Sequence, residues 1–136
     1  MNLTQQIEII VGNEKAVAVL LEKDAPRTCK AVLNALPLTG GLVHAKFAGG
    51  EFFFATPIFE ELENPVRKQN PGNICYWPVR QSICIFYKEL PGVGEVSLFA
   101  RIVKNLEGIQ REGQKGWIKQ GAPIKIAELK PVSGGV

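Results

Sequence analysis

The sequence predicts a mainly β fold, a closed barrel or sandwich of about eight short strands with about two short helices. Three observations carry that prediction. Between Glu51 and Tyr87 lie three hydrophobic runs, Phe52-Phe53-Phe54-Ala55, Ile74-Cys75-Tyr76-Trp77 and Ile83-Cys84-Ile85-Phe86-Tyr87. Asn64-Pro65, Asn70-Pro71-Gly72 and Pro78 fence them, and short aromatic or β-branched runs between turn formers read as buried strands. Eight of the eleven aromatic residues fall between Phe52 and Tyr87, so much of the core is built there. Strands this apolar favour closure, because a closed sheet has no exposed edge.

Ile7 to Val11 alternates weakly, Gly12-Asn13 follows, and Ala16 to Leu21 resumes an apolar run, the pattern of a β-hairpin. Asp24 precedes Ala25-Pro26 as an N-cap, with proline in the first helical turn, where its missing N–H had no partner to lose. Ala25, Cys29, Val32, Leu33 and Leu36 recur at helical spacing, and Pro37 stops the helix. Thr39-Gly40-Gly41 reads as a turn, Leu42 to Phe47 as a strand closed by Gly49-Gly50, and Glu51 to Ala55 as its hairpin partner. An acidic loop holding Glu60, Glu61 and Glu63 ends at Asn64-Pro65. Ile74 to Trp77 and Ile83 to Tyr87 form a strand pair, and Val96 to Ile102 is a further strand beyond the loop at 89–94. Val103, Leu106 and Ile109 share one side of a short helix that Gly108 weakens, and Ile124 to Leu129 is the last strand.

At 136 residues the chain reads as one domain over residues 1–130 with a flexible tail at 131–136. A chain of this length buries roughly two-thirds of its unfolded surface, so it needs no disulfide or metal staple. Cys29 falls in the helical pattern and Cys75 and Cys84 in strand runs, which reads as three buried free thiols in a reducing compartment. One histidine and no C-x-x-C point away from a metal site, and no motif calls for a cofactor. The N-terminus lacks a basic region followed by an apolar run, which argues against a signal peptide. No segment approaches the roughly 20 apolar residues of a spanning helix, so the expectation is a cytoplasmic protein without a membrane partner. Sixteen basic residues are mixed with thirteen acidic ones for a formal net charge of +3, and no basic run exceeds two residues. That is a solvated mixed surface rather than a nucleic-acid face.

The order of these elements resembles the cyclophilin barrel. It has a hairpin, a helix opening with Asp24-Ala25-Pro26-Arg27-Thr28, a strand pair around a central Gly-Gly, and later a strand leading into a short helix. The stretch Phe99-Ala100-Arg101-Ile102-Val103-Lys104-Asn105-Leu106-Glu107-Gly108 is similar to the strand-then-helix segment of cyclophilins. Val43-His44-Ala45-Lys46-Phe47-Ala48, Glu63-Asn64-Pro65, Gly72, Cys75-Tyr76 and Cys84-Ile85-Phe86-Tyr87 resemble more closely a family of small uncharacterised prokaryotic cyclophilin-like proteins. The resemblance covers residues 5 to 130 and implies a closed eight-stranded barrel capped by helices, with no established activity. Cyclophilins proper isomerise X-Pro bonds with an arginine that donates to the proline nitrogen, working against a barrier of about 18–20 kcal/mol. The arginine position falls on Ala45; a slip to Lys46 would flip the face and lacks the guanidinium fork. The glutamine position falls on or beside Phe54, the later phenylalanine position falls near Cys84, and no histidine follows residue 44.

His44 reads as a structural or surface group, since no nucleophile or carboxylate can be placed beside it from sequence. Cys84, between Ile83 and Ile85, has nothing to lower its pKa and reads as an inert thiol. Gly40-Gly41, Gly49-Gly50 and Gly92-x-Gly94 do not join a strand to a helix as phosphate loops do, and read as turns. In a strand, Phe52 and Phe54 share one face and Phe53 takes the other, yet a barrel has one interior. The cyclophilin resemblance places Phe52 and Phe54 on the outer groove face. Outward aromatics of this kind either pack under a covering loop or line a groove; in the groove reading the site is lined by Phe52, Phe54, Thr56, Tyr76, Trp77, Cys84 and Phe86, joined by Lys46 and Arg101. Its expected occupant is a small molecule or a peptide, and no catalytic residue is assigned. A diverged, weak peptidyl-prolyl isomerase is the alternative. A third reading makes the aromatic patch an oligomer interface, the chain being a monomer or small homo-oligomer.

Overall fold

Period-two alternation builds the first hairpin. Ile7, Ile9 and Val11 of β1 (Gln6–Val11) and Ala16, Ala18 and Leu20 of β2 (Glu14–Leu20) are fully buried, and the residues between them are not. Gly12 turns the hairpin at φ +58°, where a side chain is strained. The computed structural model describes residues 5–91 and 94–129; the expected tail at 131–136 lies outside them. The remaining elements follow as α1 Pro26–Ala35, β3 Leu38–Gly41, β4 Val43–His44, β5 Glu51–Ala55, β6 Pro65–Val66, β7 Asn73–Trp77, β8 Ser82–Phe86, β9 Val96–Lys104, α2 Leu106–Gly116 and β10 Pro123–Leu129.

The strands pair antiparallel in the order β3-β10-β1-β2-β9-β7-β8-β5-β4, with β6 added against β9. β3 and β4 stand at opposite ends of that order, yet only Leu42 separates them in the chain. The stretch pairs with β10 through Leu38–Gly41 and with β5 through Val43–His44. Leu42 bridges the two halves, its N–H donating to the Ala122 carbonyl and its own carbonyl accepting from Gly121 N–H, both at 2.8 Å. This seam closes the barrel. With β3 and β4 taken as one bent stave and β6 set aside, the barrel has the eight staves expected. No helix among the described residues is long and apolar enough to cross a membrane.

Several elements differ from expectation for identifiable reasons. Thr39-Gly40-Gly41 is strand rather than turn. Its glycine serves packing: a Cβ at Gly40 would lie 2.8 Å from the Phe54 ring, which occupies that space. The expected strand from Leu42 to Phe47 shortens to Val43–His44, because the chain turns at Ala45, whose carbonyl accepts from Ala48 and Gly49 N–H. Asp24 does not cap α1. The helix starts one residue later than that reading requires, with Ala25 at the N-cap and no side-chain cap of its own. Glu63 caps it from a distance: its carboxylate accepts from the backbone N–H of Arg27 (3.2 Å) and Thr28 (2.8 Å) and from the Thr28 hydroxyl (2.8 Å). Val103 and Lys104 belong to β9 rather than to a helix. Asn105, at φ +62°, breaks the strand and accepts from Gly108 N–H, so α2 starts at Leu106 and runs a turn and more past Ile109.

The barrel interior is one apolar cluster running from the hairpin through Phe52, Phe54, Ile74, Tyr76, Ile83 and Phe99, with Cys29 and Val32 of α1 and Ile109 of α2 packed into it. A second, smaller cluster lies on the opposite face of the β5-β8-β7-β9 wall: Cys75, Cys84, Phe86, Leu90, Val96 and Leu98.

Candidate functional site

The β5-β8-β7-β9 wall is apolar on both sides, and strand parity decides which side each residue takes. On β5, Phe52 and Phe54 point into the barrel, while Phe53 packs against the outer cluster. On β8, Ile83 and Ile85 are inner and Cys84 and Phe86 outer; on β7, Ile74 and Tyr76 are inner and Cys75 and Trp77 outer. A register shift between Ile74 and Cys75 against β9 lets Phe99 and Ala100 both face inward while Leu98 stays outside. The outer cluster is roofed where Gln69 and Leu90 exchange two backbone hydrogen bonds of 3.0 Å.

Between wall and roof lies a cavity of about 40 Å³, lined by Phe47, Glu51, Gln69, Trp77, Phe86, Gly94 and Val96. At roughly 10–15 Å³ per water, that space admits about three waters or one polar head group. Phe47 is 69% exposed, so the mouth is open. Trp77 forms the wall of the mouth. The Phe53 ring meets it edge to face at 6.0 Å, Phe47 stands 6.5 Å away, and the Arg80 guanidinium lies 5.8 Å from its ring centre.

The lining is apolar except for two side chains, both buried: Glu51 (4% exposed) and Gln69 (1% exposed). Burial pushes the Glu51 carboxyl above the ordinary carboxylate pKa, and a hydrogen bond with the Cys84 thiol only partly opposes this. No Lys or Arg among the described residues forms an ion pair with it. The Gln69 Oε1 accepts from Asn73 Nδ2 at 3.0 Å and from the Cys75 thiol at 3.6 Å, but Gln69 Nε2 is buried without a partner. The thiols of Cys75 and Cys84 are pushed up by burial and by the nearby Glu51 charge, which suits inert packing groups rather than nucleophiles. All three cysteines are free and buried.

His44 sits elsewhere, against α2. Its ring packs at a tilt against Trp117, with centroids 4.5 Å apart, and its Nε2 shares a hydrogen bond with the Tyr87 hydroxyl. Burial, then the charges of Lys46 and Lys88, lower its pKa. Its backbone N–H donates to Gln120 Oε1 at 2.9 Å, and α2 comes close because Gly113 and Gly116 leave room for Tyr87, Leu42 and His44. A wider concavity of about 390 Å³ opens beside Gly12, Glu112, Lys115 and Lys119. It offers less to a ligand, because its buried carboxylate, Glu112, is already paired with Lys115 at 3.2 Å.

Of the expected groove residues, Trp77 and Phe86 line the cavity and Cys84 lies behind it on the outer face. Phe52, Phe54 and Tyr76 do not belong there. They fill the barrel interior, and the Tyr76 hydroxyl donates to the Ile58 carbonyl at 2.6 Å. The placement of Phe52 and Phe54 on the outer face is therefore corrected by parity: it is Phe53 that shares a face with Glu51. Thr56 is half-buried at the strand exit and donates to the Gln81 carbonyl at 3.0 Å, while Lys46 and Arg101 are exposed and outside the lining. Phe47, Glu51, Gln69, Gly94 and Val96 were not anticipated. The signal for Glu51 was present in the run Glu51-Phe52-Phe53-Phe54. A charged residue at the start of a two-faced strand marks the non-core side, so its partner by parity is Phe53. Gln69 is brought in by a roof that no local pattern encodes.

The DUF3830 family, described as a protein of unknown function, matches residues 7–127. The chain belongs to the DUF3830 family. A search of curated proteins returns no match. Among solved structures, this DUF3830 barrel is similar to McbB, solved in complex with tryptophan, with a TM-score of 0.82 and 15% identity over 93% of this chain. The chain spans about half of McbB's length, 45% of it. It is similar to the hypothetical protein AF2241 of Archaeoglobus fulgidus (TM-score 0.71, 24% identity, 95% of this chain and 98% of that one). It is also similar to a cyclophilin-type peptidyl-prolyl cis-trans isomerase of Cryptosporidium parvum (TM-score 0.70, 15% identity, 96% and 100%). At these identities the similarities show the fold, the cyclophilin-like barrel that the sequence resembles.

Proposed function

We propose that this DUF3830 protein is a small-molecule binding module. Its ligand lays an apolar body against Trp77, Phe86 and Phe47 and directs a polar end at Glu51 and Gln69. The observation that carries the reading is the pair of buried polar side chains, Glu51 and Gln69, in a cavity lining that is otherwise apolar, with Gln69 Nε2 left without a hydrogen-bond partner. Leaving such a donor unpaired costs about 1–3 kcal/mol, which a ligand acceptor would recover. Few, convergent polar groups among aromatic walls are the usual make-up of a ligand pocket. McbB, whose fold is similar over 45% of its length, is described in complex with tryptophan, and a small aromatic compound is therefore a reasonable first probe. The cyclophilin arginine position does not support isomerase chemistry, because Ala45 is buried and no arginine lines the cavity.

The test uses Trp77 as reporter in a Trp117→Phe background, which leaves one of the two tryptophans. A panel of small aromatic molecules is titrated while Trp77 emission and the thermal midpoint are followed. At least one member is expected to shift both, and Trp77→Ala to abolish that binding. If no member moves either signal, the groove is packing and the reading is wrong.

A further inference from the structure

We infer that the groove selects molecules carrying an amine, seated as an ammonium against Glu51 with a hydrogen-bond acceptor beside it for Gln69; this rests on the groove being a ligand site. Glu51 is buried at the cavity floor and has no cationic partner among the described residues, although ion pairs form at Glu8, Glu14, Glu60, Glu63 and Glu112. Buried carboxylates are ordinarily paired, so a cationic group is the ligand chemistry that complements this one. Among the described residues, the side chain that hydrogen-bonds Glu51 is the Cys84 thiol, a weak donor. The walls suit the same ligand, because cations are attracted to aromatic faces, and Trp77 already holds the Arg80 guanidinium at 5.8 Å. Gln69 Nε2 adds a donor that needs an oxygen or similar acceptor. A carboxylic acid would set a second anion beside Glu51, and a hydrocarbon would leave both floor groups unanswered. An amine with a neighbouring acceptor satisfies both. The cavity of about 40 Å³ admits that head group and leaves the apolar body in the open mouth between Phe47 and Trp77.

Three probes with a phenyl body and different ends distinguish the possibilities: 2-phenylethylamine, 2-phenylethanol and 3-phenylpropionate, titrated calorimetrically at neutral pH. The amine is expected to bind about tenfold or more tighter than the alcohol, with the acid weakest. Glu51→Gln is expected to fold with a thermal midpoint no lower than that of the unaltered protein and to erase the amine preference, so that amine and alcohol bind it with similar affinity. Equal affinities for amine and alcohol, a preference for the acid, or an amine preference that survives Glu51→Gln each overturn the inference. If alcohol and acid bind and shift Trp77 without an advantage for the amine, the groove remains a ligand site and only the ligand class is wrong. If none of the three binds, the amine class falls, and the aromatic panel decides the groove itself.

Discussion

Burial raises the pKa of the Glu51 carboxyl, and this fixes the sign of its effect on stability. Its folded pKa lies above that of the unfolded chain, so its contribution is complete at pH below the unfolded value. It is lost as pH rises through the raised folded value, because the folded protein then carries a buried charge. Glu51→Gln, isosteric and neutral, is expected to be close to neutral in acid and stabilising at neutral pH. Urea midpoints of both proteins at the two pH values check this, and a variant equally destabilised at both would contradict it. Its neighbours by sequence separate by face. Phe52→Ala and Phe54→Ala each empty part of the barrel interior and are expected to cost about 3–5 kcal/mol. Phe53→Ala, on the half-buried outer side, is expected to cost clearly less and to weaken ligand binding; an equal loss for all three in urea would refute the two-faced wall. The sequence shows that this strand is apolar on both sides. Which side is the interior depends on its pairing with β8 and on the Gly40 backbone that receives Phe54, neither of which the run itself contains.

Elements whose signal is local were legible: the β1–β2 hairpin around Gly12, α1 up to Pro37, and the β7 and β8 runs. Those set by distant partners were not. β3 looks like a turn because its glycines answer to Phe54 across the barrel, and the cap of α1 comes from Glu63, 35 residues beyond Thr28. The second helix is the sharpest case. Gly108, Gly113 and Gly116 weaken its pattern, yet each lies buried on the face turned to the barrel. Propensity alone gives Gly113→Ala a gain of about 0.8–1.0 kcal/mol. A Cβ there would stand 2.5 Å from the Tyr87 ring, and overpacking of this kind costs about 1–3 kcal/mol. The ring is held by His44 and by Gly49, to whose carbonyl its hydroxyl donates at 3.3 Å, so it cannot easily yield. The packing effect wins, and Gly113→Ala is expected to lower the urea midpoint; a rise would mean that α2 is loosely docked.

At the scale of the molecule, one wall serves two purposes. Its inner face builds the barrel and its outer face carries the cavity, so the site stands on strands rather than on loops, where side chains are held more rigidly. The wall is also complete early. β5, β7, β8 and β9 have all passed by Lys104, and each pairs with the next without help from later residues. The seam at Leu38–His44 follows a different order. β10 is the strand between β1 and β3, so one side of each stays unpaired until residues 123–129 arrive. On a chain emerging during synthesis, the cavity-bearing wall therefore has its partners well before the cylinder can shut, and two strand edges, one of them that of β1 in the first hairpin, stand open in the interval.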